Sequence, residues 1–435
     1  MNNQPPGWTE ARLSDVVELV RGVTYKKEQA SAAPMPAFVP MLRATNVQGG
    51  LVLDNDLVYV PESVVAPAQL LRVGDIVVAA SSGSVSVVGK SAMLKHEWHG
   101  AFGAFCTVLR TKPGIDAAYI GHYVASPAVR TRWSSLAAGT SINNLKRQHF
   151  EETVVPLPPV DEQRRIVAVI EEQLSRLDAG VVAVHRARVN LKRLHAAGLE
   201  RLVTGTLGSP RILASQHRQP APLPIPIGWE WHALADLCTS ITDGDHQPPP
   251  KTDHGIPFIV IGNVRTGSVD FHDCRHVSPE YYRGLSATRQ PKQGDVLYTL
   301  VGSFGIPVLV KKDEPFCVQR HIGILRPSAR LLSAYLAAAL GSRLAFQQAS
   351  ACATGTAQMT VPLAGLRRMV IPVPPLSEQV EIVARLEELE SAAGATDGEL
   401  VTASRLAVNL RSSILIAAFS GQLVPQSPTD VPSRR

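Results

Sequence analysis

The chain has 435 residues, 45% of them hydrophobic and 18% charged, with a net charge of +6 and a mean hydropathy of +0.05. That length exceeds one ordinary core and predicts at least two domains. No run approaches 18 consecutive apolar residues, so no membrane span is expected, and the positive balance is compatible with a polyanionic partner without establishing one.

The opening stretch "MNNQPPGWTEARLSD" lacks a basic segment followed by an apolar one, so no secretion signal is expected. Residues 1–155 carry short β-branched runs such as "GLVLDNDLVYV" and "DIVVAAS", broken by Gly, Asn and Asp, and then the helical pattern "AAYIGHYVASPAVRTRW". Such a mixture predicts an α+β domain. A proline-clamped stretch, Pro156 to Pro159, precedes a predicted helix within 156–207, with Asp161 expected as its N-cap and Gly205 as its C-cap. Ile170, Leu177, Val184 and Leu191 fall seven apart beside Val167, Leu174 and Val181, giving a coiled-coil-like seam. A Pro-rich polar linker is expected over 208–227. A second α+β domain follows over 228–371, with "FIVIGNV", "DVLYTLVG" and "LLSAYLAAALGSRLAFQQA". A second long helix is expected within 372–424, capped by Ser377 and Gly421, and a disordered tail over 425–435. Its seam is interrupted by Glu390, Gly394, Asp397 and Gly398, so a kinked or frayed middle is expected. Five scattered cysteines, with no CxxC, read as reduced thiols of a cytoplasmic protein.

The two halves are one pattern written twice. Gly139-Thr140 matches Gly355-Thr356, Pro156-x-Pro158-Pro159 matches Pro372-x-Pro374-Pro375, and Glu162-Gln163 matches Glu378-Gln379. Upstream landmarks keep their order with drifting offsets: Gly7-Trp8 with Gly228-Trp229, Asn46-Val47 with Asn263-Val264, Gly74-Asp75 with Gly294-Asp295. A tandem duplication follows. The first helix carries eight Lys/Arg against six Asp/Glu over 161–203, the second three against seven over 377–419, so opposite charge favours their pairing. Antiparallel pairing of helices ~60 Å long would place one head at each end, with pseudo-two-fold symmetry.

The two α+β heads, the paired "PLPPxxEQ" junctions and the "G-x-L" helix ends resemble the specificity subunit of a Type I restriction-modification system. The "DGDHQPP" from Asp243 to Pro249 is also typical of that family. The resemblance covers essentially the whole chain. It implies two target recognition domains separated by long antiparallel coiled-coil helices, reading the two halves of a bipartite, asymmetric site in double-stranded DNA. It also implies two methyltransferase subunits as partners, with motor-nuclease subunits joining for restriction. S-adenosylmethionine, ATP and Mg would then belong to those partners, with no cofactor and no metal on this chain.

Base discrimination needs side chains at base edges, while phosphate contacts position the protein. The candidates in the first head are Lys26, Lys27, Arg43, Ser81, Ser82, Ser84, Thr140, Asn143, Asn144, Lys146 and Arg147. In the second head they are Asp243, Asp245, His246, Gln247, Arg265, Ser303, Arg320, His321, Thr356 and Gln358. Val167, Ile414 and Phe419 are expected on outer apolar faces of the helix pair, as partner-binding residues. "GSVSVVGKS" has five residues between its glycines where a phosphate-binding loop needs four. "FHDCRH" offers too few ligands for zinc. No Asn-Pro-Pro-aromatic or Asp-Pro-Pro-aromatic tetrapeptide is present, so no catalytic residue is assigned. The rival readings are a tandem-domain adaptor without a DNA role and a DNA-modifying enzyme.

Overall fold

The computed structural model describes residues 5–137, 143–206, 223–245, 249–356 and 358–425. The chain forms two compact units, residues 1–184 with 402–435, and residues 185–401. Each unit therefore holds one α+β head, the start of one long helix and the end of the other, a division that cuts across the one expected from the sequence.

In the first unit a four-stranded antiparallel sheet runs in the order Val17–Arg21, Cys106–Thr111, Ile76–Ala79, Ser91–Met93. The run "IVVA" is apolar throughout because both faces of its strand are covered, and all four side chains are fully buried. Ile76 and Val78 face a core built with Tyr119, Ile120 and Val124 of helix Ala117–Val124. Val77 and Ala79 face a second core containing Leu42, Phe102 and Val108, as the two-residue period of a strand requires. A three-stranded sheet (Val58–Pro61, Phe38–Leu42, Ala101–Phe102) and a pair joining Thr9–Arg12 to Val154–Leu157 complete the head. Pro156 and Leu157 are thus strand residues of the head, because an edge strand tolerates a missing N–H.

The second unit repeats this topology. Cys238–Asp243, Ile322–Pro327, Val296–Thr299 and Pro307–Leu309 form the four-stranded sheet; Arg275–Val277, Ile256–Ile259 and Cys317–Val318 form the three-stranded one; Glu230–Ala233 pairs with Val370–Val373. A bidentate buried ion pair recurs at one register, Arg110 on Asp75 and Arg326 on Asp295, each with a 2.7 Å Nη2–Oδ2 contact. Helices Ser333–Leu340 and Arg343–Cys352 cover the sheet.

The long helices are Val160–Val203 and Leu376–Phe419. Their first turns close on Pro159 and Pro375, whose carbonyls accept from the Gln163 and Gln379 amides at 2.9 and 3.0 Å. The N-cap therefore lies two residues before Asp161 and Ser377. Asp161 sits inside the first turn, where a carboxylate still complements the helix dipole. At the other ends Gly205 and Gly421 take positive φ, +72° and +73°. Thr206 N–H bonds to Arg201 and Gln422 N–H to Ala417, closing both helices with a left-handed glycine.

The second helix is unbroken through Gly394 and Gly398, so its middle is not frayed as expected: Asp397 accepts from Arg188 of the first helix at 2.8 and 3.1 Å. With Gly198 against Leu389 in the same unit and Arg411 on Asp178 in the first, the two helices run antiparallel. Val181, expected in the seam, is 42% exposed. The second helix is also long and apolar enough to cross a membrane by length and composition. It meets that test because only Arg405 and Arg411 carry charge over 400–419, although no unbroken apolar run reaches 18 residues.

Candidate nucleic-acid interface

Three chain segments meet at one side of the second head. The strand Cys238–Asp243 leads into Gly244, where a Cβ would stand 1.8 Å from the Val318 carbonyl, so only glycine fits. Asp245 then bridges in parallel to Gln319. The turn after Val318 presents Arg320 and His321, whose Nε and Nε2 atoms lie 3.2 Å apart, and Leu300 N–H fixes the His321 carbonyl at 2.8 Å. Val301 bridges to Thr360 and supplies the third segment. Together they line a cleft of about 360 Å³ with Asp243, Arg320, His321, Gln358 and Thr360 on its wall.

The cleft's electrostatics are set behind it. Arg289 lies 4.0 Å from Asp243 and 3.5 Å from Asp245, and Asp245 also accepts from the Tyr281 hydroxyl at 2.7 Å. Burial, reinforced by Asp245, holds that phenol above its ordinary range. Burial and the adjacent Arg320 charge lower the His321 imidazole, keeping it neutral near pH 7 with one donor and one acceptor. Arg289 and Tyr281 escape sequence reasoning because their partners lie 36 or more residues away.

Four of the second head's candidates, Asp243, Arg320, His321 and Gln358, share the cleft wall. Asp245 is drawn into the Arg289–Tyr281 network. Arg265 is exposed on the hairpin Val264–Arg265/Ser268–Val269, and Ser303 and Thr356 are exposed on turns outside the cleft lining. His246 and Gln247, with Thr140 of the first head, lie outside the described residues.

The first head builds the same frame. A Cβ on Gly22 would meet the Gly103 carbonyl at 2.1 Å; Val23 bridges in parallel to Gly103; and Gly103 N–H bonds to Leu42 as Gln319 N–H bonds to Ile259, both at 2.9 Å. Ala80 N–H bonds to the Phe105 carbonyl at 2.9 Å, the counterpart of Leu300 on His321. The third segment is the pair Ser81–Ser82 with Asn143–Asn144.

On this frame Ser82 is half-buried, Ser84, Asn144, Lys146, Lys26 and Lys27 are exposed, and Ser81 is buried. Asn143 is also buried, with its amide 3.4 Å from the Ser82 and Gly83 carbonyls, and acts as a buttress. Arg147 is held by Glu151 at 2.7 Å, and Arg43 is paired with Asp56.

The repeated junction has a different role. Trp8 Nε1–H donates to Glu162 at 2.9 Å and Trp229 Nε1–H to Glu378 at 2.8 Å. The fully buried Gln163 donates to Pro158 and accepts from Asp116 N–H; Gln379 likewise donates to Pro374 and accepts from Leu332 N–H. Tyr119 and Tyr335 hydroxyls donate to the Pro156 and Pro372 carbonyls at 2.6 and 2.7 Å. The Glu-Gln dipeptide is thus a latch that locks each helix start to its head.

The helix ends are anchored too. Glu200 accepts from the Arg343 and Leu344 amides at 2.7 and 3.3 Å, capping helix Arg343–Cys352. Phe419 stands edge-on to Tyr119 and Tyr123, with ring centroids 5.4 and 5.1 Å away. Phe419, Ile414 and Val167 therefore pack against the first unit's core, in place of the outer faces expected from periodicity. Over the end of the second helix, 402–419, the large apolar side chains left exposed are Leu406, Val408, Leu410 and Ile416.

The family model described as the Type I restriction modification DNA specificity domain matches residues 5–188 and 226–399. The chain is 34% identical to the Type I restriction enzyme EcoKI specificity subunit of Escherichia coli K12, covering 97% of this chain and 90% of that one. It is 32% identical, with the same coverage, to the StySPI specificity subunit of Salmonella potsdam. Among solved structures it superposes with a TM-score of 0.72 on a chain from a study of complex assembly and conformational transition of the type I R-M system (21% identity, 97% and 99% covered). The HsdS subunit of Thermoanaerobacter tengcongensis gives 0.55 at 21% identity, over 97% and 98%.

Proposed function

This chain belongs to the Type I restriction modification DNA specificity domain family, and on that premise we propose that it is a non-catalytic, sequence-specific DNA-binding subunit. Each head reads one half of a bipartite, asymmetric site in double-stranded DNA. Adenine methylation, and restriction when motor-nuclease subunits join, are carried out by partner chains that hold S-adenosylmethionine, ATP and Mg. The domain division that goes with this reading is a recognition head over 1–155 and 228–371, and a helical segment over 156–207 and 372–424.

The observation that carries the reading is the shared frame with unlike dressing. Both heads bring the same three segments together through the same glycine, the same parallel bridge and the same backbone bonds. Yet the second head's cleft presents Arg320, His321 and Gln358, and the matching surface of the first presents Ala104, Phe105 and Asn144. A conserved frame with exchanged surface side chains is what two different half-sites require.

We read the second long helix as an assembly surface. Leu415, Ala418 and Phe419 pack into the first unit's core, while Leu406 and Leu410, four apart, remain more than half exposed. That stripe is the proposed docking surface for a methyltransferase partner. The test is single-molecule mapping of methylated adenine in the host genome with and without this gene. One bipartite asymmetric motif that disappears with the gene is the expected result; an unchanged methylome overturns the reading.

A further inference from the structure

Phe105 is the most exposed of the phenylalanines left on the surface, at 63% against 48% for Phe346 and 42% for Phe271. Its backbone is firmly held. The Phe105 carbonyl accepts from Ala80 and Ser81 N–H at 2.9 and 3.0 Å, Cys106 N–H returns to Gly103 at 2.8 Å, and Cys106 itself is buried. A side chain so exposed on a backbone so fixed gains nothing in the folded chain. With its backbone already ordered, packing this ring on a ligand would cost little further conformational freedom.

The register says which ligand. Cys106–Thr111 and Ile322–Pro327 occupy the same place in their sheets, and the same backbone bond from the neighbouring strand falls on Phe105 and on His321. Phe105 therefore stands where the second head carries His321, and Ala104 where it carries Arg320. At this position the second head offers hydrogen-bonding groups, and the first offers a hydrocarbon surface with no donor or acceptor. In the major groove the apolar feature of a base edge is the thymine C5-methyl group.

We propose that Phe105 is a specificity-determining residue of the first head that reads a thymine by packing on its C5-methyl. This rests on the DNA-reading function proposed above. Asn144 and Ser82, on the strand pair that Ser81 N–H ties to the Phe105 carbonyl, would add polar contacts beside that packing, and the exposed Lys26 and Lys27 would add phosphate contacts.

The test uses the full chain co-purified with its methyltransferase partners, on a duplex carrying the motif found by methylation mapping. Each thymine of each half-site is replaced in turn by uracil, which removes only the methyl, and binding is measured by competition. At one thymine the uracil duplex is expected to bind the wild type about fourfold more weakly, the worth of one buried methyl. Phe105→Ala is expected to lose a similar factor on thymine and to bind thymine and uracil alike at that position, with the other half-site and the melting temperature unchanged. The proposal is overturned if Phe105→Ala keeps the thymine–uracil ratio, if neither half-site shows a methyl effect, or if binding falls equally on every duplex, as for a wedge between bases. A wild-type complex that binds no motif duplex overturns the DNA-reading function itself, an outcome separate from these.

Discussion

Replacing Gln379 by Leu removes the latch of the second head while nearly preserving its volume. The side chain is fully buried; it donates to the Pro374 and Arg330 carbonyls at 2.9 and 3.2 Å and accepts from Leu332 N–H at 2.8 Å. Arg330 is exposed, so its carbonyl regains water, whereas Pro374 is buried and Leu332 half-buried, and their groups regain less. Two stranded groups at about 1–3 kcal/mol each make the expected cost roughly 2–6 kcal/mol. Hydrogen exchange read by mass spectrometry localises it. Peptides around Leu332 and the start of the second helix should exchange at least ~30-fold faster, the factor for about 2 kcal/mol, while those around Asp116 in the first unit stay unchanged. A cost below about 0.5 kcal/mol, the range of a surface substitution, would refute the latch. So would acceleration spread evenly over both units.

Charge reversal at the helix pair, Arg188→Asp or Asp397→Arg, should weaken the second unit in urea unfolding. The double exchange should recover most of the loss, since the two groups meet at 2.8 and 3.1 Å. Gly22→Ala and Gly244→Ala place a Cβ 2.1 and 1.8 Å from a backbone carbonyl. Each should cost about 1–3 kcal/mol by overpacking and abolish discrimination at one half-site only, as read by the methylated motif. His122 is held below its ordinary pKa of 6.5, first by burial and then by Lys95 and Arg411 against Glu171 and Asp116. Its neutral form is favoured by the fold, so this contribution is full above about pH 6.5 and falls away as pH drops through the depressed value. Removing the group with His122→Gln should flatten that part of the stability–pH curve.

The duplication was readable because its landmarks are structural devices: prolines that fix an edge strand, a Glu-Gln pair whose Gln is buried in both copies, and glycines at positive φ. Such positions tolerate few substitutes, so they survive in both copies while the loops between them diverge. The helix seam was readable as a face, but periodicity does not say what that face meets. Periodicity alone places Val167, Ile414 and Phe419 outward, whereas the fold packs them against Tyr119 and its neighbours. Arg43 and Arg147 looked like free cations because their partners, Asp56 and Glu151, become neighbours only once the chain has folded locally. Phe105 escaped notice for the opposite reason: an aromatic at the edge of an apolar strand reads as core, and exposure is a property of the folded chain.

Each head must change the bases it reads without losing its fold, and the frame shows how that is possible. The bonds that fix the recognition turn are made by main-chain atoms: Gly103 or Gln319 N–H to the three-stranded sheet, Ala80 or Leu300 N–H to the carbonyl of Phe105 or His321. Main-chain bonds are blind to side-chain identity, so Phe105 and His321 can occupy one register with the same geometry. The constraint falls on the residues behind, Gly22 and Gly244, where any Cβ collides with a carbonyl. Substitution at the front should therefore alter which base is preferred while leaving stability nearly constant. Substitution at the glycine should damage the reading of every base in that half-site. Stability and specificity are carried by adjacent residues on opposite sides of one turn, and exchanging Ala104-Phe105 with Arg320-His321 is the substitution that most directly separates them.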